Sequence, residues 1–151
     1  MQTLRWILAS LHLIGLGVGF GACWLRAVRL QALAKGTGSL QAVLNADNWY
    51  GVATLLWIAT GLWRAFGGVE KGSDYYLNST AFLVKMALFI VVFALEWVPM
   101  VAFIGWRIQL KKQRLPDTRK AGLFATLTYL ELFVFLLMVF AATATARGLW
   151  Y

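Results

Sequence analysis

Four long apolar stretches, at about 4–27, 48–66, 79–106 and 121–146, alternate with short polar segments along the chain. As helices, each is long enough to cross a hydrocarbon layer, which takes about 20 residues. The polar segment QALAKGTGSLQAVLNADN (31–48) carries a break at KGTGS, and a short interfacial helix is expected before Asn48. GGVEKGSDYYLNS (67–79) is glycine-rich and charged, with paired tyrosines suited to a membrane–water boundary. RIQLKKQRLPDTRK (107–120) is strongly basic and turns at Pro116. No tandem duplication is evident.

Within each stretch the polar and small residues fall at steps of three and four, which places them on one helical face. His12, Gly15, Gly19, Ala22 and Arg26 form such a stripe in the first, and Tyr50, Ala53, Trp57, Gly61 and Arg64 in the second. The third gives Lys85, Phe89, Val92, Glu96, Pro99 and Phe103, and the fourth Phe124, Thr128, Glu131, Phe135, Met138 and Ala142. The pattern predicts an all-α, integral membrane four-helix bundle in which each helix turns its stripe inward. Residues 1–151 are read as a single transmembrane domain, with the first helix retained rather than cleaved as a signal.

Composition agrees: 61% hydrophobic residues, 13% charged and a mean hydropathy of +0.70 exclude an ordinary soluble domain. The net charge of +8 does not point to nucleic acid, because the cations gather at helix ends, as they do to orient a membrane protein. Nine of them (Arg26, Arg29, Lys35, Arg107, Lys111, Lys112, Arg114, Arg119 and Lys120) fall on one side. Four (Arg5, Arg64, Lys71 and Arg147) fall on the other. The positive-inside rule makes the first side cytoplasmic and puts both termini on the periplasmic side. Trp6, Trp24, Trp49, Trp63, Trp97, Trp106 and Trp150 mostly fall near the predicted interfaces, whereas Trp57 lies mid-helix. Cys23, the only cysteine, makes no intrachain disulfide and reads as a small packed side chain. Asn78 lies in a formal glycosylation triplet, NST, of little specificity.

Ionisable residues at membrane depth usually face a bundle interior or a wet cavity. The topology sorts them into two groups. His12, Arg64 and Lys85 fall in the outer half, with Glu70 and Asp74 in the adjoining connection. Glu96, Glu131 and Arg26 fall in the inner half, Glu96 lying about 16 Å below Lys85 at 1.5 Å rise per residue. The outer group is a candidate ligand or cofactor site. A neutral imidazole can ligate haem iron axially, and Arg64 and Lys85 suit propionates, a quinone oxygen or another acidic head group; snorkelling cations and a simple interhelical histidine contact are the structural alternative. The inner group is a candidate proton or ion-pair network, since two carboxylates in a low dielectric need cations or a shared proton. No metal-ligand spacing, phosphate loop or nucleophile elbow occurs, so His12 would bind metal only as haem iron.

His12 with Gly15, Gly19 and Arg26, YG at 50–51, TGLWR at 60–64, KGSDYY at 71–76, STAFLVK at 79–85 and P…FIGWR at 99–107 give the chain its resemblance. Over nearly its whole length it resembles the bacterial family of predicted membrane proteins called domain of unknown function 2214. The resemblance implies a multi-pass protein of the bacterial cell inner membrane with four helices and no assigned activity. The chain is more distantly similar to the J-type protoporphyrinogen oxidases and the copper-resistance D membrane domain. The oxidases carry one histidine in the first helix and another two residues before a later lysine. His12 and Lys85 match, but Leu83 stands where the second histidine would be.

Three functional readings follow. The preferred one is a ligand-binding module or accessory subunit of a membrane complex, rather than an enzyme. The alternatives are an oxidoreductase using haem b or quinone at His12, Arg64 and Lys85, and an oligomeric proton-coupled carrier using Glu96 and Glu131. The lipid bilayer is the expected surrounding, with a homo-oligomer or larger membrane complex as partner and no nucleic acid. Gly17 and Gly21 lie nearly opposite the Gly15–Gly19 face, which gives the first helix two surfaces for close packing.

Overall fold

The computed structural model describes residues 1–149, so Trp150 lies outside the described residues. Five helices account for it: α1 (Gln2–Ala34), α2 (Leu40–Phe66), α3 (Ser73–Asn78), α4 (Thr80–Lys111) and α5 (Ala121–Arg147). No strand occurs among the described residues. Of the four long helices, α1, α4 and α5 are long and apolar enough to cross a membrane. The fourth, α2, has the length, but tryptophans, threonines and Arg64 dilute its apolar character.

The long helices extend beyond the apolar stretches at the KGTGS end. VRLQALA carries α1 on to Ala34, and LQAVLNAD forms the first two turns of α2 itself rather than a separate interfacial helix. The reason is burial. Leu30 on α1 and Val43 and Leu44 on α2 continue the inward stripes and pack with Phe103, Trp106 and Phe124. Only Lys35–Ser39 remains as a turn, with Gly36 at φ 72°. Ser39 ends it by accepting the Ala42 N–H on its side chain at 3.3 Å. Ser79 repeats the device at the start of α4, accepting the Phe82 N–H at 3.4 Å. Between α2 and α4 the connection folds into the single extra helix α3, entered through Gly72 at φ 85°. Gly148, at φ 69°, closes α5 in the left-handed conformation that glycine adopts without a Cβ penalty.

α1 packs along both α2 and α5, and α5 packs in turn on α4. The backbones of α2 and α4 stand further apart, and side chains close that gap: Trp57 against Phe89, Phe66 against Phe82, and Arg107 reaching Asp47. The N-terminus of α1, the 67–79 connection and the C-terminus of α5 share one end. Arg5 donates to the Val69 carbonyl, Lys71 to Ala146 O at 3.3 Å and the Tyr75 hydroxyl to Thr145 O at 3.1 Å. Large apolar side chains such as Val52, Leu55, Ile90, Phe133 and Phe140 point outward, the reverse of a water-soluble bundle.

In lipid the driving force for helix packing comes from close contact and interhelical hydrogen bonds, because tails are as apolar as leucine. Glycines on α1 supply that contact on one face only. A Cβ on Gly15 would stand 3.2 Å from the Trp57 backbone nitrogen, whereas one on Gly19 would meet Ala53 Cβ at 3.5 Å, an ordinary contact. Gly17 and Gly21 face open space. Gly15→Ala is therefore expected to lower stability by about 1–3 kcal/mol, the usual cost of overpacking. Gly17→Ala should be neutral or stabilising by up to about 1 kcal/mol through helix propensity. Denaturation of the two variants in mixed micelles, followed by circular dichroism, checks the contrast; equal stabilities would place Gly15 outside a rigid contact.

Candidate functional site

Two polar sites lie on the inward stripes, one at each end of the bundle. At the end carrying the termini, His12, Arg64 and Lys85 line one cavity of about 350 Å³ between α1, α2, α4 and α5. The 67–79 connection covers it, contributing Glu70 and Tyr76 to its wall. Asp74, expected beside this group, is instead in the first turn of α3 and does not line the cavity.

His12 is fixed from α2. Its Nδ1 stands 3.0 Å from the Trp57 carbonyl oxygen and 3.0 Å from Thr60 Oγ1. A carbonyl can only accept, so Nδ1 carries the hydrogen, and the Thr60 hydroxyl spends its own on Leu56 O at 2.7 Å. The Nε2 lone pair is thereby left free, with no hydrogen bond among the described residues. The ring stacks on Trp57 at 5.2 Å and 18°. Gly61 makes room for it: a Cβ there would come within 3.0 Å of Cε1. The glycine that matters for the imidazole thus lies on α2, not beside it on α1.

The cations differ in how they are paired. Arg64 Nε donates to Glu70 Oε1 at 2.5 Å, and Glu70 Oε2 accepts from the Tyr76 hydroxyl at 3.2 Å. Burial and the adjacent Glu70 carboxylate push the Tyr76 phenol up to about 12. Lys71 Nζ donates to the Tyr75 hydroxyl at 2.8 Å and lies over its ring. Lys85 Nζ stands 5.5 Å above the Trp57 ring, and no carboxylate among the described residues is within ion-pair distance. Leu83, two residues earlier, is 51% exposed on the outer face of α4. A histidine at that position would point away from the cavity, so the lysine and the residue two before it do not act on one ligand here.

Towards the other end, Arg26 joins all four long helices. It is wholly buried, and its Nη1 donates to Asp47 Oδ1 at 2.9 Å and Glu96 Oε1 at 2.8 Å. Its Nη2 donates to Glu96 Oε2 at 2.6 Å and Glu131 Oε2 at 2.8 Å. The guanidinium carbon lies 4.3 Å from the centre of the Tyr50 ring. Arg26, Glu96 and Glu131, grouped from helical depth, are thus in direct contact. Periodicity alone missed Asp47 and Arg107, which sit in two segments that read as polar connections, 31–48 and 107–120. Arg107 Nη2 donates to Asp47 Oδ2 at 2.7 Å and to Asn48 Oδ1 at 2.9 Å. The signal available was the amphipathic stretch LQAVLNAD, which puts Asp47 on the face of Val43 and Tyr50. Cys23, read as packing, also has a polar contact: its thiol lies 3.7 Å from Glu131 Oε2.

A second, small cavity of about 30 Å³ lies between the two sites, bounded by Gly15, Gly19, Tyr50, Trp57, Val92 and Phe135 among others. Trp57 therefore borders both cavities, and its buried indole N–H has no partner among the described residues.

Removing the guanidinium would leave buried carboxylates without their cation. Arg26→Leu is expected to cost about 3–5 kcal/mol, the range for breaking one side of a buried ion pair, or to abolish accumulation of the folded protein. Chemical denaturation in micelles measures it, and a loss below 1 kcal/mol would remove Arg26 from the centre of the fold. For Tyr76, a raised folded-state pKa means stability that is complete below the ordinary tyrosine range and lost as pH rises towards about 12. The phenolate absorbance of the wild type should keep a late-titrating component that Tyr76→Phe deletes.

No curated protein and no solved structure matches the chain, so the more distant likeness to oxidase and copper-resistance domains gains no support from them. One family model does match, over residues 4–149, and its description is "predicted membrane protein". That match spans all four long helices and both polar sites, and the chain belongs to the DUF2214 family of predicted membrane proteins.

Proposed function

We propose that this chain is a multi-pass, four-helix module of the bacterial inner membrane that binds a small lipophilic ligand bearing an anionic or oxygen-rich head. All of residues 1–151 act as one transmembrane domain, with both termini on the periplasmic side. The greater share of cations at the opposite end supports that orientation, although Arg26, buried among carboxylates, no longer counts towards it. With the termini outside, the 350 Å³ cavity opens in the periplasmic half.

The observation that carries the reading is Lys85: an ammonium in the wall of a mostly apolar cavity that also holds a free imidazole nitrogen, with no carboxylate of its own. Glu70 is already engaged by Arg64 and Tyr76. An anionic head on Lys85 and an apolar body against Leu13, Leu16 and Phe82 would satisfy both parts of the lining. Haem b would have His12 Nε2 as its one histidine ligand, since the chain has no other histidine. A quinone would need only a donor to its oxygen, which Lys85 supplies.

Dodecyl phosphate should bind the reconstituted protein more tightly than dodecanol, measured by calorimetry in nanodiscs. Lys85→Gln should weaken the phosphate about tenfold, as expected for losing one charge-assisted hydrogen bond, and leave dodecanol unchanged. Equal affinity for the two amphiphiles would overturn the anionic-head reading. An absorption spectrum and mass spectrum of gently purified protein test the haem and quinone forms, each lost in His12→Ala or Lys85→Gln respectively.

A further inference from the structure

The charges around Arg26 do not balance. Three carboxyl groups, Asp47, Glu96 and Glu131, share two guanidinium groups, Arg26 and Arg107. Arg107 lies at the partly exposed edge and pairs with Asp47. That leaves one guanidinium, Arg26, facing both Glu96 and Glu131 in the interior. The other titratable groups facing this point are the Cys23 thiol from α1 and the Tyr50 phenol from α2; neither carries positive charge in any protonation state. With every carboxyl ionised the cluster would hold one uncompensated negative charge, at a site where Glu131 is 0% exposed. An unpaired ion in such surroundings is among the most costly features a protein can carry.

Hydrogen bonding shows the same deficit at one atom. Glu96 accepts the paired Nη1 and Nη2 donors on its two oxygens, the fork geometry of a fully ionised carboxylate. Glu131 Oε2 accepts from Nη2 and faces the Cys23 thiol. Glu131 Oε1, fully buried, meets no donor. Four of the five guanidinium hydrogens of Arg26 are used on oxygens, and the fifth, on Nε, finds no acceptor. Both glutamates hang on the same Nη2, so their carboxyl groups lie side by side. A hydrogen on the Glu131 carboxyl would supply the missing charge and leave Oε1 a neutral oxygen, whose burial without a donor costs less than that of a carboxylate oxygen. A metal cation is the poorer answer: both Glu96 oxygens and Glu131 Oε2 are occupied by donors, Thr128 gives its hydroxyl hydrogen to Phe124 O, and no group of metal-binding side chains occurs among the described residues.

We propose that the buried Arg26 cluster is a proton-binding site, holding one proton on the Glu131 carboxyl beside the Glu96 carboxylate. Binding adds one proton to a carboxylate and changes the cluster from −1 to neutral, with no other bond made or broken. The site is independent of the ligand cavity and holds whether or not that cavity takes an anion. It has an edge towards the surface, because Asp47 and Glu96 are each 15% exposed while Glu131 is sealed. A proton leaving Glu131 therefore passes first to Glu96, the glutamate that reaches that edge.

Infrared spectroscopy of the full-length protein in lipid vesicles at neutral pH tests this. The wild type should show the carbonyl stretch of a protonated carboxylic acid, moved by carbon-13 labelling of glutamate and unmoved by labelling of aspartate. Glu131→Gln and Glu96→Gln should each lose the band. The second loss is the distinctive one, because Glu131 is still present but now has Arg26 to itself and ionises. No acid carbonyl in the wild type, a band that follows aspartate, or a band that survives in Glu96→Gln would overturn the proposal. So would a band seen only when sodium is withdrawn, which would make a metal cation the compensating charge. The labelled wild type decides between glutamate and aspartate even if an amide variant fails to fold.

Discussion

One guanidinium ties this bundle together. Arg26 on α1 hydrogen-bonds to α2, α4 and α5 through Asp47, Glu96 and Glu131, and among the described residues no other touches all three by polar contacts. In a bilayer the hydrophobic effect does not distinguish a helix neighbour from a lipid tail. Polar contacts inside the bundle therefore carry more of the specificity than they would in water. Arginine suits the task because its planar fork can serve several carboxylates at once and stays charged when buried. The arrangement of the helices follows: α2 and α4, which do not pack backbone to backbone, are held in register by their carboxylates on a common cation.

The rest of the interior is organised around that point. Small residues on α1, chiefly Gly15, bring α2 close enough for its Trp57 carbonyl to hold the His12 ring. Trp57 then forms the partition between a roomy cavity at one end and the polar cluster at the other. The two sites have opposite characters. The cavity has cations without enough carboxylates, whereas the cluster has carboxylates without enough cations.

Much of this was legible in the primary structure, for identifiable reasons. Steps of three and four put His12, Gly15, Gly19 and Arg26 on one face, and helix geometry leaves no freedom in that. Depth along the helices grouped Glu96 with Glu131 and Arg26, because rise per residue is fixed. Helix ends were less legible. The segment 31–48 reads as a connection because it is polar, yet most of it is helix, since Leu30, Val43 and Leu44 have Phe103 and Phe124 to pack against. Asp47 was hidden by the same composition. Which side chains of α2 meet α1 was not legible: Gly61 as the seat of the His12 ring depends on how α2 lies across α1.

Periodicity and composition by themselves determined an all-helical chain built for a membrane, the inward face of each long helix, and the two depths at which charge is buried. These are properties of single helices, set by 3.6 residues per turn and by the cost of placing polar groups in lipid. Tertiary structure alone decided which charges meet. It paired Arg64 with Glu70, left Lys85 without a carboxylate, and gave Arg26 one more acid than the surrounding cations can neutralise. Those outcomes depend on distances of a few ångströms between helices, and no pattern within one helix encodes them.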